Sequence, residues 1–270
     1  MALLLAAVAA LAVLAGVLVA LAAGGDGQGA SAATATSASP TPTPSPPPVW
    51  PATPARPARV WIGGDSLGGE LVWGLVPLLK ATATFRTGSF SKESSGICRY
   101  DYFDWRTKMT SVMKKPKPHA VVIMLGTNDT QSVWTTTGWI AYGTTTWKTA
   151  YGKRVGRLMD VTLDGGARRV YWVGMPIMRE SWRNSRMRVI NTVVRKQAEK
   201  RPGVRFIDIW ALFTDADGRY VAKWRGGDGV HFSTAGWRRL GKRVYRSIAA
   251  DWLAAASPSP AATVTGSPAP

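Results

Sequence analysis

The chain has 270 residues, 46% of them hydrophobic, a formal charge of +18 and a single cysteine. One cysteine excludes an intrachain disulfide, so a fold must be held by its core. Arginine and lysine are interspersed (Arg168-Arg169, Arg238-Arg239, Lys242-Arg243) rather than gathered as in a nucleic-acid reader. The field therefore suits an anionic membrane surface or an acidic wall polymer, or serves solubility alone.

The first segment, residues 1–23, is an unbroken apolar run after Met1, with no Lys or Arg before Arg56. A secretory signal carries a basic n-region and a shorter core, so the length favours a retained anchor. A signal cleaved near Ala20-Leu21-Ala22 stays open, and either outcome exports the rest. Residues 24–55 are rich in Gly, Ala, Ser, Thr and Pro and end in Thr41-Pro42-Thr43-Pro44-Ser45-Pro46-Pro47-Pro48, the composition of a disordered, extended stalk. Residues 256–270 repeat it as a tail. Asp26 is the only charged residue outside the intervening span 56–255, which therefore carries +19, one more than the whole chain. That span is one domain's worth of residues.

Within the domain, strand and helix patterns alternate. Arg59 to Ile62 reads as a buried strand closed by Gly63-Gly64. Ser66 to Lys80 follows with helical spacing of Leu67, Leu71, Val72, Leu75, Leu78 and Leu79. Thr84 to Arg86 is a weak second strand and Asp101 to Lys114 a helix. Ala120 to Leu125 is wholly apolar, as a central parallel strand would be. Thr130 to Thr146 holds Trp134, Trp139, Tyr142 and many threonines; it is either the lining of a cleft for a sugar or acyl chain, or a packed surface loop. Trp147 to Leu163 is helical, Arg169 to Val173 a strand, Trp182 to Lys200 a helix with a basic face, Val204 to Ile209 the last strand, and Thr234 to Leu253 the final helix. Asp215-Ala216-Asp217-Gly218 lacks the later ligands of a calcium loop and reads as a tight turn between Phe213 and Tyr220.

Strands separated by helices give a parallel sheet covered on both faces, with sites at the carboxyl ends of the strands. Three segments fall on that edge: Gly64-Asp65-Ser66-Leu67, Gly126-Thr127-Asn128-Asp129 and Asp228-Gly229-Val230-His231. A serine hydroxyl needs a base in reach, and the base needs a third group to fix its tautomer. Of two histidines, His119 precedes its strand and lies at the wrong edge, leaving His231, with Asp228 three residues before it. Ser66 at a helix start offers its own N–H to an oxyanion. Asn128 can add its amide, and a glycine after the second strand can bring a further N–H, Gly96 first and Gly88 second. Asp65 is expected to fix the turn. Cys98 is expected to be a buried or simply unpaired thiol. No Walker loop, no strand-linked Gly-x-Gly-x-x-Gly and no Cys/His cluster occurs, so neither cofactor nor metal is expected.

These residues resemble the SGNH (GDSL) hydrolase family. Gly64-Asp65-Ser66-Leu67-Gly68 is similar to its first block, Gly126-Thr127-Asn128-Asp129 to its third and Asp228-Gly229-Val230-His231-Phe232-Ser233 to its fifth, in the family's order; Gly96 would be the second-block glycine. Ser95-Gly96 through Tyr102-Phe103-Asp104-Trp105 resembles a bacterial branch, the DUF459-like proteins. The resemblance implies a flavodoxin-like three-layer α/β/α sandwich with a five-stranded parallel sheet. It also implies Ser66 as nucleophile, His231 as base, Asp228 as its orienting carboxylate, and an oxyanion hole of Ser66 N–H, Gly96 N–H and Asn128 Nδ2. The expected activity is hydrolysis of O-acyl esters, O-acetyl or short-chain, on cell-envelope glycans. The alternatives are an acyltransferase with the same triad and a non-catalytic wall-binding module.

Overall fold

The structure is a computed structural model that describes Ser45, residues 47–114 and residues 116–253. The expected anchor (1–23), nearly all of the expected stalk before Pro47 and the tail (256–270) lie outside the described residues. No described helix is long and apolar enough to cross a membrane.

Among the described residues, seven strands and five longer helices follow in the order β1 (Ala58–Gly64), α1 (Ser66–Lys80), β2 (Phe85–Ser91), α2 (Trp105–Val112), β3 (Ala120–Met124), β4 (Val133–Thr135), β5 (Gly138–Ile140), α3 (Thr145–Asp164), β6 (Arg169–Val173), α4 (Ser181–Glu199), β7 (Val204–Ile207) and α5 (Thr234–Trp252). Five strands form one parallel sheet in the order β2-β1-β3-β6-β7, while β4 and β5 make a separate antiparallel hairpin. α1 packs with α5, and α3 with both α2 and α4, giving the two helical layers of an α/β/α sandwich. The chain runs outward from β1 to β2 and then returns to β3 on the other side. The point between β1 and β3 is thus the topological switch at which doubly wound sheets open a crevice.

Burial explains the assignments. All five residues of β3 and of β6 are buried, as strands covered on both faces require. α1 places Leu67, Leu71, Leu75 and Leu79 on one fully buried stripe at four-residue spacing; each such leucine contributes about 1.5–3 kcal/mol relative to exposure. β2 is an edge strand, mostly exposed after Phe85, and runs to Ser91 rather than stopping at Arg86. α2 starts at Trp105 rather than Asp101 because Asp104 caps it, accepting from the backbone of Arg106 and Thr107. The turn at 215–218 forms as expected: Asp215 Oδ1 accepts from Asp217 N and Arg219 N, and Thr214 bridges Tyr220.

Pro47 to Ala52, within the span 24–55 read from composition as stalk, lie against the domain. Arg168 and Arg169 donate to the carbonyls of Pro48 and Pro47, Ala52 N donates to Trp252 O at 2.8 Å, and Trp50 packs edge-on against His119 and Trp252. His119 sits at the amino edge of the sheet, where its Nδ1 accepts from Arg59 N at 3.0 Å. Burial, and then the charges of Arg59, Arg168 and Arg56, lower its pKa to about 4.

Candidate active site

The carboxyl edge of the sheet brings the three segments together. β1 ends at Gly64, where a Cβ would come within 1.9 Å of Met124 O on β3; only glycine lets the two strand ends approach this closely. Asp65 N donates to that same carbonyl, and the Asp65 carboxylate accepts from Leu67 N at 3.0 Å and Thr127 N at 3.2 Å. One buried side chain thereby caps α1 and ties the Ser66 turn to the Asn128 turn. Burial, then the nearby Asp129 charge, pushes the Asp65 carboxyl up to about 7. Asp129 is raised by burial too. It accepts from Cys98 N at 2.8 Å and from the Tyr151 hydroxyl at 2.9 Å. Cys98 is buried, with its thiol pushed well up by burial first and Asp129 second.

Ser66 Oγ lies 2.9 Å from His231 Nε2, and His231 Nδ1 lies 2.5 Å from Asp228 Oδ2. The other Asp228 oxygen accepts from Val230 N at 2.9 Å and His231 N at 3.0 Å, so one carboxylate both builds the loop and faces the ring. Burial opposes its ionisation, but the hydrogen bonds from the His231 ring and from these two amides outweigh it and bring the Asp228 carboxyl down to about 2. Side-chain exposures of 44% for His231 and 49% for Asp228 leave the cleft open to water. Ser233 caps α5 directly behind, accepting from Gly236 N. A hydroxyl, an imidazole and an ionised carboxylate in this line can move a proton from serine to ring while the serine oxygen attacks an acyl carbon.

The cleft, about 460 Å³, is lined by Ser66, Asn128 and His231 together with Glu70, Trp73, Glu93 and Ser94. Asn128 Nδ2 donates one hydrogen bond to Ser95 O at 2.9 Å, which fixes the amide. From the β2–α2 loop, Glu93 and Ser94, the latter in the left-handed region at φ 57°, line the cleft, and Gly96 does not. Gly96 lies one layer behind: its missing Cβ would be 2.2 Å from Asp129 Oδ1, so packing on the buried carboxylate accounts for the glycine. A left-handed non-glycine residue costs about 1–2 kcal/mol, a strain of the kind that gathers at functional sites. Gly88, mid-strand in β2, does not line the cleft either. Nor does any residue of 130–146. The segment packs on α3 and α4 instead, with Arg154 donating to Trp134 O, Trp147 Nε1 to Gln131 O and Arg186 to Thr130 O.

Three residues that hold the His231 loop were not picked out from sequence. Glu70, 7% exposed and one turn after Ser66, accepts from Phe232 N at 2.9 Å. Arg225, buried under the loop, donates to Val230 O and Ile177 O with its guanidinium over the Phe232 ring. Arg179 donates to Gly227 O and Asp228 O. The only sequence signal among them is an acid at position 70 in an otherwise apolar helix. Among the described residues, no group of three or more His, Cys, Asp and Glu side chains is placed to hold a metal ion.

A five-stranded parallel sheet with a serine leading the first helix and an Asp-x-x-His loop leading the last is the arrangement that the resemblance to SGNH (GDSL) hydrolases implied. The chain belongs to the family described as "Protein of unknown function (DUF459)", whose model matches residues 59–247. No curated protein matches the sequence. Among solved structures, the chain is similar in fold to the acetylxylan esterase Axe2 of Geobacillus stearothermophilus (19% identity, 71% of this chain and 94% of that one, TM-score 0.54). It is also similar to an α/β hydrolase from the metagenome of Lake Arreo (18%, 70% and 94%, 0.53) and to a GDSL-like lipase of Bacteroides thetaiotaomicron (16%, 70% and 87%, 0.50).

Proposed function

We propose that the domain is an exported serine ester hydrolase that removes short O-acyl groups from cell-envelope glycans. The observation that carries the reading is the continuous line from Ser66 Oγ through both nitrogens of His231 to Asp228. Ser66 Oγ bonds to the ester carbonyl carbon as its proton passes to His231 Nε2. The tetrahedral oxyanion takes hydrogen bonds from Ser66 N–H and Asn128 Nδ2, with the β2–α2 loop at Ser94 as the source of a third. Collapse breaks the bond to the alcohol oxygen, which leaves with the His231 proton. Water then repeats the sequence on the acyl-serine and releases the acid. Asp228, ionised down to about pH 2, holds the ring in the right tautomer throughout.

Support for a carbohydrate ester comes from Trp73, 60% exposed beside Ser66, whose ring offers a flat face to a sugar. The +19 charge of the domain favours an acidic polymer as the carrier, and a fold relative is named an acetylxylan esterase. The open cleft, with His231 in contact with solvent, favours water over a sugar hydroxyl as acceptor and hence hydrolysis over transfer. Export through residues 1–23 belongs to the same proposal. The test is turnover of aryl acetate by the full chain and by Ser66→Ala. Wild-type turnover with a loss of about a thousand-fold or more in the variant is expected; equal rates would refute the proposal.

A further inference from the structure

Two cavities meet at Ser66. The larger is the cleft already described. The smaller, about 130 Å³, lies between α1 and the end of β2; beyond Ser66 it is lined by Gly69, Val72, Trp73 and Phe90, with Ser89, Ser91 and Glu93 as its polar side. We infer that this smaller cavity is the acyl pocket and that its walls limit the substrate to short acyl groups. This rests on the ester-hydrolase reading.

The assignment follows from the four bonds of the tetrahedral carbon. One goes to Ser66 Oγ. The oxyanion must point at its donors, and Asn128 lines the large cleft. The departing oxygen must lie near His231 Nε2, which gives it a proton, and His231 lines the same cleft. The acyl chain takes the remaining direction, and the small cavity holds neither Asn128 nor His231. Its residues also share one face of α1: Gly69 and Val72 follow Ser66 at three-residue steps. A liquid-like volume of about 30 Å³ per small group lets 130 Å³ hold about four such groups, so acetyl to butyryl fits. The far wall is stiff, because Phe90 stacks on Phe103 and meets Trp105 edge-on. The floor is shallow, since a Cβ at Gly69 would already sit 3.1 Å from Ser91 Oγ.

The experiment is a chain-length series of aryl esters, acetate to octanoate, on the full chain, on Val72→Ala and on Gly69→Ala, each read as a ratio to its own acetate rate. The wild-type ratio should fall about ten-fold or more between butyrate and octanoate. Val72→Ala should raise the hexanoate and octanoate ratios several-fold, and Gly69→Ala should lower the butyrate ratio. Each variant is a separate arm, so loss of one to misfolding leaves the other. A flat wild-type profile, or variants with the wild-type ratios, overturns the pocket while the Ser66-dependent acetate rate keeps the esterase reading. If no ester is cleaved and Ser66 is not labelled by a fluorophosphonate, the pocket and the esterase reading fall together.

Discussion

Glu70 is the sharpest test of how the site is held. Its carboxylate is the acceptor for Phe232 N, the amide directly after His231, and it lies within the field of the buried Arg225. Glu70→Ala leaves a buried N–H without its partner, a cost of about 1–3 kcal/mol, and removes a negative charge near Arg225. A total of about 2–3 kcal/mol corresponds to a Tm lower by about 5–10 °C for a domain of this size. Release of the loop also lets His231 drift from Ser66, and a displacement of about 1 Å costs about a hundred-fold in rate. Glu70→Gln keeps an acceptor oxygen in the same place and should recover most of both losses. The assays are thermal unfolding and kcat on an aryl acetate, with KM as the control for substrate binding. An alanine variant within about 0.5 kcal/mol of wild type, or a glutamine variant as damaged as the alanine one, would show that this hydrogen bond does not hold the loop.

Asp228→Asn should lower kcat by about a hundred- to ten-thousand-fold with little change in KM, because the amide fixes the wrong ring tautomer; steady-state kinetics at neutral pH check it. Asn128→Ala should cost about a hundred- to a thousand-fold in kcat if its amide meets the oxyanion, and an unchanged kcat excludes it from that role. His119 ionises near pH 4 in the fold and at its ordinary value of 6.5 when unfolded. A depressed pKa contributes stability that is full above 6.5 and is lost as pH falls towards 4. Denaturation of wild type and His119→Asn across that window should show the gap between them closing on acidification. Cys98 should resist thiol reagents in the native protein and react once it is unfolded, since burial disfavours its thiolate.

The sheet was legible because β3 is apolar throughout, β6 is so after Arg169, and its helices carry leucine and valine stripes. β2 was not, beyond its first residues: Phe85 to Ser91 is an exposed edge whose pairing with β1 supplies the order that its composition lacks. The β4–β5 hairpin is hard to read because its Thr-rich turn has none of the Asn-Gly or Asp-Gly signals, and its position is set by Arg154 on α3, which donates to Trp134 O. Ser66, Asn128, Asp228 and His231 could be expected to meet because their segments share one edge of the sheet, and they do line one cleft. Backbone freedom singles out Gly96 in the sequence, whereas the fold uses that freedom to accommodate Asp129, and Glu93 and Ser94 line the cleft. Glu70 and Phe232 are 162 positions apart, a contact that no local pattern encodes.

The contact of Ala52 with Trp252 has a consequence for orientation. α5 begins behind His231 and ends beside His119, so it spans the domain from the cleft pole to the opposite one. The chain enters at Pro47 to Ala52 and leaves after Trp252 at that same far pole. The chain thus joins the domain on the side opposite the cleft, so that a group attached at either end of the described span would leave the mouth of the cleft clear.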